Sequence, residues 1–329
     1  MQFKIKKVLI INAGGGIGDA LQFLKIFKLI NVKFKNPKIF YYSCDLKKFW
    51  YENILSSLKP RNVQTIKHFP DHFGFRKKHF FLKYKKKEFY DLIIDGQSKL
   101  RNSLIYKRIP HKFFFSFAWN GLVSSPFLKT NNKHVQLRIV EFLEKFLNTK
   151  IDFEKIRILV SNKYNIEAKR ILKNKQNYIG FSLKAGHPTR VKEFNINEIL
   201  KVATHFSRKD YIPAFFVEEK HDILIQKIQK KIPNAFFPEH YSKKIYKNPS
   251  LVIALANKMN FNLSIDNGVM HMLGLADKKL FCFFNKNSEK FKPISKNVHI
   301  FDCQLKNKNI DTLKSQEIIT FIEKNLNFN

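Results

Sequence analysis

The feature that most constrains this chain is an alternation that runs its whole length. Short apolar runs rich in β-branched residues are followed by stretches whose apolar positions recur at helical spacing, and the series starts afresh near residue 150. Residues 7–12 (KVLIIN) read as a strand, 20–30 as a helix apolar nearly all round, 38–43 as a second strand, 91–95 (DLIID) as a short buried strand and 135–147 as an amphipathic helix. After the break, strands are predicted at 156–160, 178–183, 212–217, 261–265 and 280–284, the last clear one. Helices are predicted at 166–172, 196–205, 221–231, 250–258, 269–275 and 312–326. Strands that alternate with helices pair in parallel and are covered on both faces, so the fold class is α/β. Two such series in 329 residues predict two doubly wound domains, 1–152 and 153–329, facing each other.

Composition narrows the function classes. With 44% apolar and 26% charged residues the chain is an ordinary globular mixture. Cys44, Cys282 and Cys303 lie far apart with no CxxC pair, which excludes a disulfide scaffold and a zinc ribbon and fits a reducing compartment. No apolar run approaches the roughly 18 residues of a membrane helix. Residues 113–119 and 251–256, the longest candidates, have the length of a core strand or core helix. Lys4, Lys6 and Lys7 precede an apolar run at 8–11 that is too short for a signal peptide, so a cytosolic location is expected.

The net charge is +35, and residues 1–150 hold 30 basic against 9 acidic side chains. The densest stretch, 76–87, carries Arg76, Lys77, Lys78, Lys83, Lys85, Lys86 and Lys87. Such a patch attracts anionic lipid, phosphorylated glycolipid or nucleic acid. The abundance of Lys, Asn, Ile and Phe, all with AT-rich codons, is an equally good account of the same lysines.

Three loops carry candidate chemistry, and each follows a predicted strand, where open parallel sheets bind ligands. The first is Ala13 to Gly18 with Asp19 at its mouth; Gly16 and Gly18 let the backbone approach a ligand. The spacing fails the GxGxxG fingerprint, and no phosphate-loop Gly-Lys-Ser/Thr follows. Asp19 is either a first-turn acid satisfying helix N–H groups or a general base held over a cleft. The second loop gathers Lys184, His187, Thr189, Arg190 and Lys192, either plain surface or cations for a diphosphate. The third runs from Ser264 to His271. Asp266 ends a strand, Asn267 and Gly268 turn, and His271 sits one turn into a helix. That corner is either a capped junction with a core histidine or a site in which Asp266 accepts sugar hydroxyls and turn N–H groups meet an anion.

Taken together the segments resemble glycosyltransferase family 9, the ADP-heptose:lipopolysaccharide heptosyltransferases. The resemblance rests on Gly18-Asp19-Ala20-Leu21, on Asp91 to Gln97 (DLIIDGQ), and on Lys192-Glu193-Phe194-Asn195 in place of a Lys-Arg-Trp-Pro segment. It rests further on Asp266-Asn267-Gly268-Val269-Met270-His271 in place of Asp-Thr-Gly-Pro-x-His, and on Phe291-Lys292-Pro293. The sequence departs from the pattern at Asn267, Glu193 and Phe194. The resemblance implies a GT-B architecture of two Rossmann-like domains facing across a cleft. The N-terminal domain would hold the acceptor and the C-terminal domain the nucleotide sugar, with the last helix packing back across. It implies inverting glycosyl transfer from an ADP-sugar without metal or other cofactor. Asp19 would be the base. Lys192, Lys184, Arg190, Asp266, Asn267, Gly268 and His271 would hold the donor, and Gly16 and Gly18 would line the acceptor loop. The acceptor would be an anionic glycolipid, with peripheral contact at the inner membrane face and no nucleic-acid partner. Two other readings remain. One is an NAD-dependent oxidoreductase, from the glycine turn and Asp45. The other is a non-catalytic nucleic-acid binder using the lysine patch, for which no binding motif is present.

Overall fold

In a computed structural model of the protein, residues 4–12, 15–43, 49–66, 88–96, 99–130, 133–173, 175–184 and 192–326 are described. The chain divides into two compact units, Met1–Ile156 and Arg157–Asn329. Each is built on a five-stranded parallel sheet.

The first sheet runs in the order β3-β2-β1-β4-β5, with β1 (Lys7–Asn12), β2 (Lys38–Ser43), β3 (Val63–Thr65), β4 (Tyr90–Asp95) and β5 (His111–Ser116). Val8 stands opposite Ile39 on one side and Leu92 on the other. Val8 to Ile11 and Leu92 to Ile94 are fully buried. This is why both central strands read as unbroken apolar runs rather than alternations. Helices α1 (Ile17–Lys33), α2 (Leu100–Tyr106) and α3 (Val135–Leu147) belong to this unit. Behind α1, Phe27, Tyr41 and Tyr51 meet at ring-centroid distances of 5.0–5.6 Å.

The second sheet runs β10-β9-β8-β6-β7, with β6 (Asn177–Ser182), β7 (Tyr211–Phe215), β8 (Phe261–Ile265), β9 (Lys279–Phe284) and β10 (Val298–Asp302). Its helices are α4 (Asn162–Ile171), α5 (Ile196–Ser207), α6 (Asp222–Lys231), α7 (Pro249–Ala256), α8 (Gly268–Leu273), α9 (Ser288–Phe291) and α10 (Ser315–Leu326). Gly180 in β6 lets the neighbouring strand's side chain lie close: a Cβ there would come within 2.2 Å of Asn262 Oδ1.

Several expectations need correction. Residues 156–160 form no strand; they lie where one unit ends and the next begins, and Arg157 pairs with Asp277 at 2.8 Å. The strand β10 lies beyond the last one expected. As an edge strand it keeps only Phe301 fully buried, so its apolar signal is weak. Residues 113–119 have the length of a core strand or core helix. Burial holds from Phe114 through Ala118, and Trp119 is exposed. The last helix, α10, sends Ile318, Ile319 and Ile322 into the core of its own unit. Its Glu323 accepts hydrogen bonds from His205 and Lys209 on and just beyond α5. Among the described residues no helix is long and apolar enough to cross a membrane.

Candidate functional site

In a doubly wound sheet the crevice for ligands opens where the strand order reverses. In the first unit that point lies between the ends of β1 and β4. Residues 13–14 lie outside the described residues; the chain resumes at Gly15, whose carbonyl accepts from Trp50 Nε1 at 2.9 Å. Gly16 is the N-cap of α1. Its N–H donates to Asp19 Oδ2 at 3.1 Å, and its carbonyl accepts from Ala20 N–H at 3.2 Å. Asp19 is therefore the first-turn acid that one reading required, steadying the helix start. It is also half-exposed at the sheet's C-terminal edge, as the other reading required. Gly18 lies in the first turn beside it. Across the reversal, Asp95 at the end of β4 is fully buried and accepts from Ser103 Oγ (2.5 Å) and Ser116 Oγ (2.9 Å). Neither serine stood out in the sequence.

In the second unit the order reverses between β6 and β8, and two of the predicted loops meet there. Lys192 Nζ donates to Asp266 Oδ2. Asn267 caps α8: its Oδ1 accepts from Met270 N–H at 2.8 Å. Its Nδ2 donates to Ser182 Oγ (2.9 Å) and to the Lys184 carbonyl (3.1 Å), which ties the start of the cationic loop to the end of β8. Lys184 and Glu193 pair across the base of that loop, by a backbone bridge and by an ion pair of 3.4 Å. Phe194 is buried against Phe283. Gly268 opens α8, and His271 lies within it, 8% exposed. Burial lowers the His271 pKa to about 4 against an opposing pull from Asp266, so the imidazole is neutral near pH 7. His187, Thr189 and Arg190 lie outside the described residues, as do Cys44, Asp45 and the lysine stretch 76–87.

The structure thus joins Lys192, Asp266, Asn267 and the carbonyl of Lys184 into one corner. It gives Asn267 a definite task, to which an amide is suited: one oxygen accepts from the helix while its NH₂ donates to two partners. Sequence reasoning missed Ser182, the hydroxyl that receives Asn267, and Glu239 beyond β7. Burial, with Glu218 nearby, raises the Glu239 pKa to about 7. Among the described residues, no group of three or more His, Cys, Asp or Glu is placed to hold a metal ion.

The sequence model of glycosyltransferase family 9 (heptosyltransferase) matches residues 81–319. No curated protein matches. Among solved structures, the glycosyl transferase family 9 protein from Veillonella parvula DSM 2008 superposes with a TM-score of 0.68 at 14% identity, over 100% of both chains. The E. coli heptosyltransferase WaaC with ADP gives 0.62 at 14% identity, over 97% of this chain and 98% of that one. The E. coli ADP-heptose lps heptosyltransferase II gives 0.62 at 14% over the same shares. At such identity the likeness is one of fold, and the fold is that of GT-B glycosyltransferases.

Proposed function

The chain belongs to glycosyltransferase family 9 and is a glycosyltransferase, and from that premise we propose that it moves a heptose or related sugar from an ADP-linked donor to a lipopolysaccharide core or similar anionic glycan. The observation that carries this reading is the corner of Lys192, Asp266 and Asn267 at the reversal point of the second sheet. One E. coli relative of the fold, WaaC, has been solved with ADP and with ADP-2-deoxy-2-fluoro heptose, which supports a nucleotide-sugar donor here.

In this reading the second unit binds the donor and the first the acceptor. Asp19 takes the proton of an acceptor hydroxyl as that oxygen attacks the anomeric carbon from the face opposite the leaving diphosphate, so the product is inverted. The departing nucleoside diphosphate gains charge, and Lys192 is the cation poised to meet it, with Lys184 and Arg190 beside it in sequence. Asp266 holds Lys192 in place and offers its other oxygen to a sugar hydroxyl. Neutral His271 backs that corner, and the Gly268 turn lets the donor approach the backbone. Gly16 and Gly18 give the acceptor room at Asp19. The chemistry needs no metal, and the enzyme works in the cytoplasm on a glycolipid at the inner membrane face.

The test is a thermal-shift screen of ADP-, GDP- and UDP-sugars, followed by calorimetry. ADP-heptose should protect best, and Lys192→Ala should weaken ADP roughly tenfold, as expected for one charge-assisted contact. Equal protection by a UDP-sugar would overturn the donor assignment, and unchanged ADP affinity in Lys192→Ala would remove the lysine from it. Turnover should survive EDTA; its loss would overturn metal independence.

A further inference from the structure

Residues 96–140 contain eight lysines and arginines and no aspartate or glutamate. The stretch spans α2, β5 and the connection after β5, and four large apolar side chains stand out from it. Trp119 is 64% exposed, Leu122 61%, Phe127 55% and Leu104 49%. Single exposed apolar residues need no explanation, but several gathered in one cation-rich segment do.

The exposure is built into the backbone. Trp119 and Asn120 both have left-handed φ, +48° and +52°, a conformation uncommon for a bulky residue. Gly121 follows at φ +97°, and a Cβ there would lie 2.2 Å from the Leu128 carbonyl oxygen. The turn is held from within: Leu122 N–H donates to Trp119 O (3.1 Å), Ser124 N–H to Gly121 O (2.9 Å) and Thr130 N–H to Asn120 O (3.1 Å). Lys107 Nζ donates to Val123 O at 2.9 Å, which clamps the end of α2 to the same connection. Arg101 precedes Leu104 by three residues in α2, which puts the cation beside the apolar side chain on one helical stripe, and Arg108 follows in the turn just beyond the helix. The Phe117 guanidinium partner, Arg138, turns inward instead, donating to Phe117 O at 2.9 Å.

We propose that this surface docks on an anionic lipid bilayer, with Trp119, Leu122 and Phe127 entering the headgroup region and the surrounding lysines and arginines meeting lipid phosphates. Charge complementarity selects the occupant: the stretch itself carries no carboxylate, and Glu141 just beyond it is neutralised by Lys145, which also binds the Lys129 carbonyl. Tryptophan with neighbouring apolar side chains suits the interfacial zone, where one end is apolar and the other wet. The connection leaves the same C-terminal sheet edge as Asp19, two strands away, or about 10 Å at sheet spacing. The inference rests on the transferase reading for its purpose, because a glycolipid acceptor lies in such a surface. The assay below contains neither donor nor acceptor, so the two can fail separately.

The chain has two tryptophans, Trp50 and Trp119, so a Trp50→Phe background reports on Trp119 alone. The full chain is mixed with vesicles of phosphatidylglycerol in phosphatidylcholine, or of phosphatidylcholine alone, and binding is read by sedimentation. Bromine-labelled acyl chains read insertion by quenching. The expected result is binding to the anionic vesicles, weakened by salt, with Trp119 quenched by brominated lipid. Trp119→Ser combined with Phe127→Ser should bind roughly tenfold more weakly or worse, since it removes two inserted apolar groups. Both positions are exposed, so circular dichroism should show an unchanged fold. Binding without quenching of Trp119 would place the contact elsewhere, for instance at 76–87, and overturn the proposal. So would absence of binding, or preferential capture of duplex nucleic acid at physiological salt with Trp119 shielded.

Discussion

The two units share a layer architecture and differ at the rim. Both carry a five-stranded parallel sheet with fully buried central strands, Val8 to Ile11 in one and Phe261 to Ile265 in the other. The first is ordered β3-β2-β1-β4-β5 and the second β10-β9-β8-β6-β7, so the reversal falls between the first and fourth strands of one unit but between the first and third of the other. The first rim presents a glycine turn and Asp19, whose carboxylate accepts from the Gly16 N–H. The second presents a cross-linked corner in which Asn267 binds a helix, a strand end and a loop at once. The first rim has its polar cluster, Asp95 with Ser103 and Ser116, buried at the end of β4, whereas the second has its polar groups tied together across two loops, an arrangement suited to a compact anion.

The comparison breaks most visibly at Asp19. Asp19→Asn keeps the side chain's shape and loses the base, and kcat should fall by about 10²–10⁴. Stability should change by no more than about 1 kcal/mol, the usual worth of a first-turn helix contact. Turnover and a melting curve on one preparation check both. An active variant would leave Asp19 only its structural task. The cores should behave alike where the rims do not. Leu9→Ala in β1 and Leu263→Ala in β8 each remove a fully buried side chain, and each should cost about 2–5 kcal/mol. Hydrogen exchange read strand by strand should place each loss in its own sheet.

Much of this was legible in the sequence, and the exceptions have physical causes. Central strands announce themselves because both faces are buried, so β1, β8 and α1 could be found from apolar runs alone. Edge strands do not: β10 alternates imperfectly, and β3 is three residues long. The apolar residues at 156–160 looked like a strand but serve as the junction of two units, a role that periodicity does not encode. At the site, residue types predicted the neighbourhood of Asp266 and Lys192 but not that they would bind each other. Ser182 was hidden because a buried serine at a strand end has no pattern of its own. The exposure of Trp119 had no sequence signal, because it ends an aromatic run of core-strand length and its left-handed backbone is visible only in the fold.

A smaller effect separates the two tasks of Asn267. Asn267→Ala removes the cap of α8 and the link to Ser182, and should cost about 1–2 kcal/mol in the second unit. Asn267→Ser retains an oxygen for capping but cannot donate to both Ser182 and the Lys184 carbonyl. If the link to the cationic loop matters for the donor, the serine variant should recover stability more fully than ADP affinity. Equal recovery of both would reduce Asn267 to a cap.

The smallest expected effect concerns how acid acts on the second unit. The Arg170 guanidinium holds the Glu167 carboxyl at about 2, with help from Ser242 and the Lys243 N–H. A carboxyl whose folded pKa is depressed adds stability that is complete above its unfolded value near 4.5 and is lost as pH falls through about 2. Arg170→Ala lifts the folded pKa toward the ordinary value, so the variant should be less stable than the parent at neutral pH. The guanidinium is half-exposed, which limits that difference to roughly 1 kcal/mol or less. The difference should shrink between pH 4.5 and 2 and vanish below, where Glu167 is protonated in both proteins. Urea titrations at neutral pH and at pH 3 check this. A difference unchanged by pH would mean that Arg170 acts through its contact with the Tyr241 carbonyl and not through the carboxylate.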